Sequence, residues 1–136
     1  MNGYRIVSGR ELQPISLHNG GKMDIKTEKK DNVLIVSVSG SLDASNHQQF
    51  TETVQSYIEE GARHLLFNLQ GLEYMSSAGI RAFIMIERFL SPFGGVMVFY
   101  GLVPFVDEIF EIAGLKSDFK VFEDEASALS SFSSVS

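Results

Sequence analysis

The sequence predicts an α/β domain: a small mixed, mostly parallel sheet of four to five strands with about four helices packed on it. Short apolar runs at residues 33–38, 65–69 and 96–100 alternate with longer segments whose apolar residues recur at helical spacing. The run at 65–69 is apolar almost throughout, as a strand covered on both faces is. The segments between runs are long enough to be helical crossovers, which set successive strands parallel with right-handed connections.

Residues 25–28 alternate in character, 29–32 (Lys-Lys-Asp-Asn) supply turn chemistry, and 33–38 are rich in Val and Ile, so the domain opens on a strand hairpin. Residues 40–45 break the pattern. From Asn46 onward, Phe50, Val54, Tyr57 and Ile58 mark one face of an amphipathic helix, with Asp43, Ser45 and Asn46 as capping candidates and Gly61 as a left-handed C-terminal cap. A buried strand at 65–69 follows, then a loop over 70–76. A second helix runs from about 77 to 90, rich in Ile80, Phe83, Ile84, Ile86 and Phe89. Its few polar residues include Arg81 and Arg88, seven apart on one side, so most of this helix is buried or forms a contact surface.

After a strand at 96–100, Pro104 opens a third helix with Phe105, Val106, Ile109, Phe110 and Ala113 inward, Asp107, Glu108 and Glu111 outward, and Gly114 at its end. Residues 120–122 form a last edge strand. A short helix from Asp124 packs through Ala126, Leu129 and Phe132. The domain therefore spans 23–132, with 1–22 a flexible N-terminal leader or extension and 133–136 a frayed tail.

The 136 residues, 44% hydrophobic and including eleven Phe, suffice for one core. A net charge of -6 lacks the basic footprint that nucleic acid or anionic lipid requires, so no nucleic-acid partner is expected. The chain has no Cys, which excludes disulfides, thiolate metal sites and cysteine nucleophiles. No run approaches the ~20 apolar residues of a membrane-spanning helix, and residues 1–22 lack the apolar centre of a secretory signal. The expectation is a cytoplasmic protein without membrane insertion.

Catalytic chemistry is sparse. His18, His47 and His64 have no second ligand at metal-binding spacing, and the glycines form no phosphate loop and no nucleophile elbow. Gly71, Gly79, Gly94 and Gly95 read as turn or close-packing residues. The carboxylate pairs Glu59-Glu60, Asp107-Glu108 and Asp124-Glu125 lie at helix ends or on polar faces, where solvation and the helix dipole explain them. No catalytic residue, metal or cofactor is expected, and the chain reads as a non-enzyme.

The unusual feature is the junction Tyr74-Met75-Ser76-Ser77-Ala78-Gly79-Ile80, which sets two hydroxyls and two small residues between an apolar strand and an apolar helix. One serine is explained by capping. A helix start also tolerates an anion, so a phosphate on Ser76 or Ser77 is locally acceptable there. Such a phosphate adds roughly -1.5 to -2 charges beside an apolar contact helix, enough to expel a partner by repulsion and desolvation.

The segments Gly40-Ser41-Leu42-Asp43 and Tyr74-Met75-Ser76-Ser77-Ala78-Gly79-Ile80-Arg81 resemble the two signature regions of the STAS domain, the family of bacterial anti-sigma factor antagonists. The resemblance covers about residues 25–132. It implies that Ser77 is a phosphoacceptor flanked by Ser76, Ala78 and Gly79. It further implies a partner-binding surface drawn from Ser41, Asp43, Ser45, Tyr74, Met75, Ile80, Arg81 and Ile84, with Gly79 letting the partner's backbone approach. The implied partners are an anti-sigma factor that is also a serine kinase of the histidine-kinase-like ATPase fold, and a PP2C-type phosphatase that resets the switch. The unphosphorylated form binds the kinase and frees the sigma factor; the phosphorylated form lets go. Ser76 stands where many members carry Asp, and Ala78 replaces their second hydroxyl. The alternative reading is a subunit of a transporter ATPase complex or a sensory assembly that docks constitutively.

Overall fold

The computed structural model describes the backbone of residues 4–7 and 11–14 and the whole of residues 23–133. Within the segment read as a leader, β1 (Tyr4–Val7) and β2 (Glu11–Pro14) pair as a separate antiparallel ribbon, Tyr4 opposite Pro14 and Val7 opposite Glu11. The main body follows in the order β3 (Met23–Lys30), β4 (Val33–Leu42), α1 (His47–Glu59), β5 (His64–Met75), α2 (Ser77–Leu90), β6 (Val96–Tyr100), α3 (Pro104–Ile112), β7 (Lys120–Phe122) and α4 (Glu125–Ser133). Among these residues no helix is long and apolar enough to cross a membrane.

The five strands lie in the order β3-β4-β5-β6-β7, with β3 antiparallel to β4 and every later pair parallel. The expected mixed, mostly parallel sheet is therefore the observed one. The β3–β4 hairpin turns through Asp31, which adopts φ +56°, a left-handed conformation that Asp tolerates through local hydrogen bonding.

Alternation along the strands sends their side chains to two separate cores. Val36, Val38, Leu65, Phe67, Leu69 and Phe99 face α1, α2 and α3. Val33, Ile35, Leu66, Val98 and Tyr100 face the other way and meet Ala128 and Phe132 of α4. The larger core is organised around Phe83 of α2, whose ring stands edge-on to Phe50 at 5.4 Å, Phe67 at 5.3 Å and Phe99 at 5.0 Å. Each such pair adds about 0.5–1.5 kcal/mol to what area burial supplies, so Phe83 holds α2 firmly over the middle of the sheet.

Helix α4 is also held by polar contacts. Glu125 accepts from Lys30 Nζ at 2.5 Å and from the Tyr100 hydroxyl at 3.1 Å, and Asp124 Oδ1 accepts the Ser127 N–H at 2.8 Å. The Lys30 hydrogen bond holds the Glu125 carboxyl below its ordinary range. Burial, with the Glu125 carboxylate beside it, pushes the Tyr100 hydroxyl up to about 12.

Four expectations are corrected. Residues 70–75 are not a loop: β5 continues to Met75 because Gly71, Leu72, Tyr74 and Met75 pair with Ser39, Gly40, Ser41 and Leu42 across two irregularities in register. The strand pairing extends β4 likewise through Leu42, past the glycine that breaks its pattern. Phe105 and Ala113 of α3 are exposed, not inward; Val106 and Phe110 fill the core. In α4 the inward alanine is Ala128, with Ala126 exposed. Gly114 does end α3, at φ +73°.

Candidate functional site

The long parallel pairing of β4 with β5 brings the ends of the two central strands level, Leu42 beside Met75. The loops that leave these strands therefore lie side by side at the carboxyl edge of the sheet, where α/β folds place their binding sites. The Ser76 N–H donates to the Leu42 carbonyl at 3.0 Å and closes this corner.

The β4–α1 loop is braced from within. Asn46, 1% exposed, accepts the Asp43 N–H on Oδ1 at 3.0 Å and donates through Nδ2 to the Ser41 carbonyl at 2.9 Å. Asp43 Oδ1 accepts both the N–H and the hydroxyl of Ser45, at 2.9 and 2.6 Å. Of the three capping candidates Asn46 takes the N-cap position of α1, but its side chain makes no cap hydrogen bond and instead shapes the loop behind it. Ser41, Asp43 and Ser45 are thus held in one turn beside the start of α2.

The two serines at that start have different occupations. Ser76 is the N-cap, extended at φ -98° and ψ -179°, and its Oγ accepts the Ala78 N–H at 3.2 Å. Its carbonyl accepts the N–H groups of Gly79 and Ile80 at 2.9 and 3.2 Å. Ser77 is exposed. Ala78 and Gly79 are buried beneath it, and a Cβ on Gly79 would lie 2.5 Å from Met75 Cγ and 3.1 Å from Leu42 Cγ. Gly79 is therefore small so that α2 can sit on the strand ends of its own fold. Met75, 1% exposed, lies under this surface and not on it, because its strand register points it into the core.

Along α2, Arg81, Met85 and Arg88 face outward, with Ile80 and Ile84 half-buried at their sides. Tyr74 and Phe105, each 44% exposed, stack with centroids 5.6 Å apart and planes 16° from parallel. The stack makes an aromatic ledge between the end of β5 and the start of α3. Of these exposed apolar side chains the sequence reading names Tyr74 alone for a contact surface; Phe105 and Met85 are exposed as well. For Phe105 the missed signal is its position directly after Pro104, in a first helical turn that lies at the sheet's rim. Among the described residues no group of three or more His, Asp or Glu could hold a metal ion.

The STAS domain family model matches residues 24–128. BtrV of Bordetella bronchiseptica, assigned as an anti-sigma factor antagonist, is 31% identical over 110 residues, covering 81% of this chain and 95% of its own. Two solved structures have the same fold. An anti-sigma factor antagonist from Mycobacterium paratuberculosis superposes with a TM-score of 0.75 at 20% identity, over 85% of this chain and 97% of its own. The Bacillus cell fate determinant SpoIIAA in its phosphorylated form gives 0.62 at 20% identity, over 79% of this chain and 98% of its own. The chain belongs to the STAS domain family, and its relatives carry the name of anti-sigma factor antagonists.

Proposed function

We propose that this protein is an anti-sigma factor antagonist that acts by reversible binding, switched by phosphorylation of Ser77. The observation that carries the reading is the division of labour at the start of α2. Ser76 uses its hydroxyl oxygen to cap the helix, whereas Ser77 presents its own to solvent. A kinase needs an accessible hydroxyl, and only the second serine offers one without uncapping α2.

Unphosphorylated, the protein docks on its anti-sigma factor through Tyr74, Phe105, Ile80, Ile84, Arg81 and the loop of Ser41, Asp43 and Ser45. Aromatic and Arg side chains of this kind carry most of the energy of protein interfaces. The partner is a serine kinase of the histidine-kinase-like ATPase fold. Phosphorylation places about -1.5 to -2 charges in the middle of this half-apolar surface, and the cost of burying them releases the partner. A PP2C-type phosphatase restores the binding form. The work is cytoplasmic, with the chain as ligand and substrate, not as catalyst.

Incubation with the partner kinase and ATP tests the reading. The expected result is a single ~80 Da gain, absent in Ser77→Ala and retained in Ser76→Ala, with Ser77→Asp losing capture of the kinase. An unmodified wild-type protein overturns it. Capture indifferent to Ser77→Asp points instead to constitutive docking, as in a transporter ATPase complex or a sensory assembly.

A further inference from the structure

We infer that Arg81 is the counter-ion of phosphorylated Ser77, a positioning residue that folds the modified side chain back along α2. The inference rests on Ser77 as the modified residue and concerns what that phosphate touches once it is there.

The backbone at the helix start supplies a partial positive charge but few open donors. Ser76 already takes the Ala78 N–H on its side chain and the Gly79 and Ile80 N–H groups on its carbonyl. A phosphate on Ser77 therefore meets a first turn whose donors are largely committed, and needs a side-chain cation. The segments that build this corner, residues 41–46, 74–84 and 102–108, contain one cation, Arg81. They also contain the carboxylates Asp43 and Glu108, which repel a phosphate, and Asp107, whose charge is taken up by Lys116 at 2.7 Å, so Lys116 is already engaged. His47 follows the loop as the first residue of α1, half-buried.

Arg81 is placed for the role. It lies four residues after Ser77 on the same helix, so the two side chains share a face about 5–6 Å apart at Cβ, with the anion on the N-terminal side as the favourable order requires. Side chains on a helix lean toward its N-terminus, which carries the Arg81 guanidinium back over Ser77. It is exposed and, among the described residues, forms no salt bridge that would have to break. The guanidinium fork can meet two phosphate oxygens at once. The same Arg81 that faces the partner in the unmodified protein is thus withdrawn by the phosphate, so modification both adds negative charge and removes a positive contact.

The test needs no kinase. The full chain is made with phosphoserine incorporated at position 77 during translation, and the second ionisation of the phosphate, near pH 6 when unperturbed, is followed by phosphorus NMR. Arg81→Gln is compared with wild type and with Arg81→Lys, circular dichroism showing that each exposed-site variant is folded. Pairing lowers the midpoint in the wild type by about half a unit relative to Arg81→Gln, roughly three-fold in the ionisation constant, with Lys between the two. The gap closes in 1 M salt, where the screening length falls to about 3 Å. Equal midpoints in wild type and Arg81→Gln at low salt overturn the inference, as does a gap that salt leaves unchanged. A kinase that fails to modify Ser77 would sink the phosphoswitch but leave this readout intact.

Discussion

The Ser76 backbone N–H donates to the Leu42 carbonyl at 3.0 Å, so the cap of α2 is tied to the end of β4 while its own hydroxyl closes the helix. Ser76 is a structural residue in consequence, and its neighbour is free to be a functional one. Stability measurements on the two alanine variants separate these roles. Ser76→Ala loses about 1 kcal/mol in urea unfolding through the missing cap, whereas Ser77→Ala stays within about 0.5 kcal/mol of wild type, as an exposed hydroxyl should.

Asn46 holds the β4–α1 loop with two hydrogen bonds from a buried side chain. Asn46→Ala leaves the Asp43 N–H and the Ser41 carbonyl without their partner and costs about 2–3 kcal/mol. Amide exchange at Asp43 and Ser45 rises in the same variant. Unchanged exchange there would mean that the loop does not depend on Asn46.

Gly79→Ala forces a methyl to within 2.5 Å of Met75 Cγ and against Leu42. The variant loses about 1–3 kcal/mol by overpacking, visible as a lower urea midpoint at unchanged slope. Met75→Ala empties a buried site and is itself costly, but combined with Gly79→Ala it loses less than the sum of the two single variants, a coupling that a double-mutant cycle measures.

The Tyr74–Phe105 stack is half-exposed, so truncating either ring changes binding more than folding. If the stack is part of the proposed docking surface, Tyr74→Ala and Phe105→Ala each weaken capture of the proposed anti-sigma partner about ten-fold or more by calorimetry. Their unfolding midpoints move by no more than about 1 kcal/mol, the size of an exposed aromatic pair.

Alkaline pH reports on α4. The Tyr100 hydroxyl is held up to about 12 by burial and by Glu125, against ~10 in an unfolded chain. A group whose folded value is raised contributes stability that is complete below pH ~10 and is lost as pH climbs toward ~12. Two units correspond to as much as ~2–3 kcal/mol. Lys30 and Lys116, raised by their hydrogen bonds to Glu125 and Asp107, act in the same direction. Comparing Tyr100→Phe with wild type isolates the tyrosine: the phenylalanine variant shows a shallower fall of stability between pH 10 and 12.

Most elements were legible because they are written in local periodicity. The Val-Ile run of β4, the four-three-one spacing through Phe50, Val54, Tyr57 and Ile58, and Pro104 with Gly114 around α3 each report their element within a few residues. The serine pair between an apolar strand and an apolar helix was visible for the same reason. The far half of β5 was not. Gln70 and Gly71 read as a break, and only the pairing of residues 71–75 with β4 makes that stretch a strand.

The sequence alone therefore determined the element order from Met23 onward, the mixed parallel sheet and the place of Ser77 at a helix start, since spacing and turn chemistry act over one or two turns of chain; the β1–β2 ribbon lies in the stretch read as a leader. Tertiary structure alone decided which of the two serines is occupied, why Gly79 must be small, that Phe105 joins Tyr74 at the surface, and that α4 covers the face opposite the other helices. Each of these depends on contact between residues distant in sequence or on a hydrogen bond whose acceptor is chosen by packing. Periodicity names the face that must be buried, but not the atoms that will bury it.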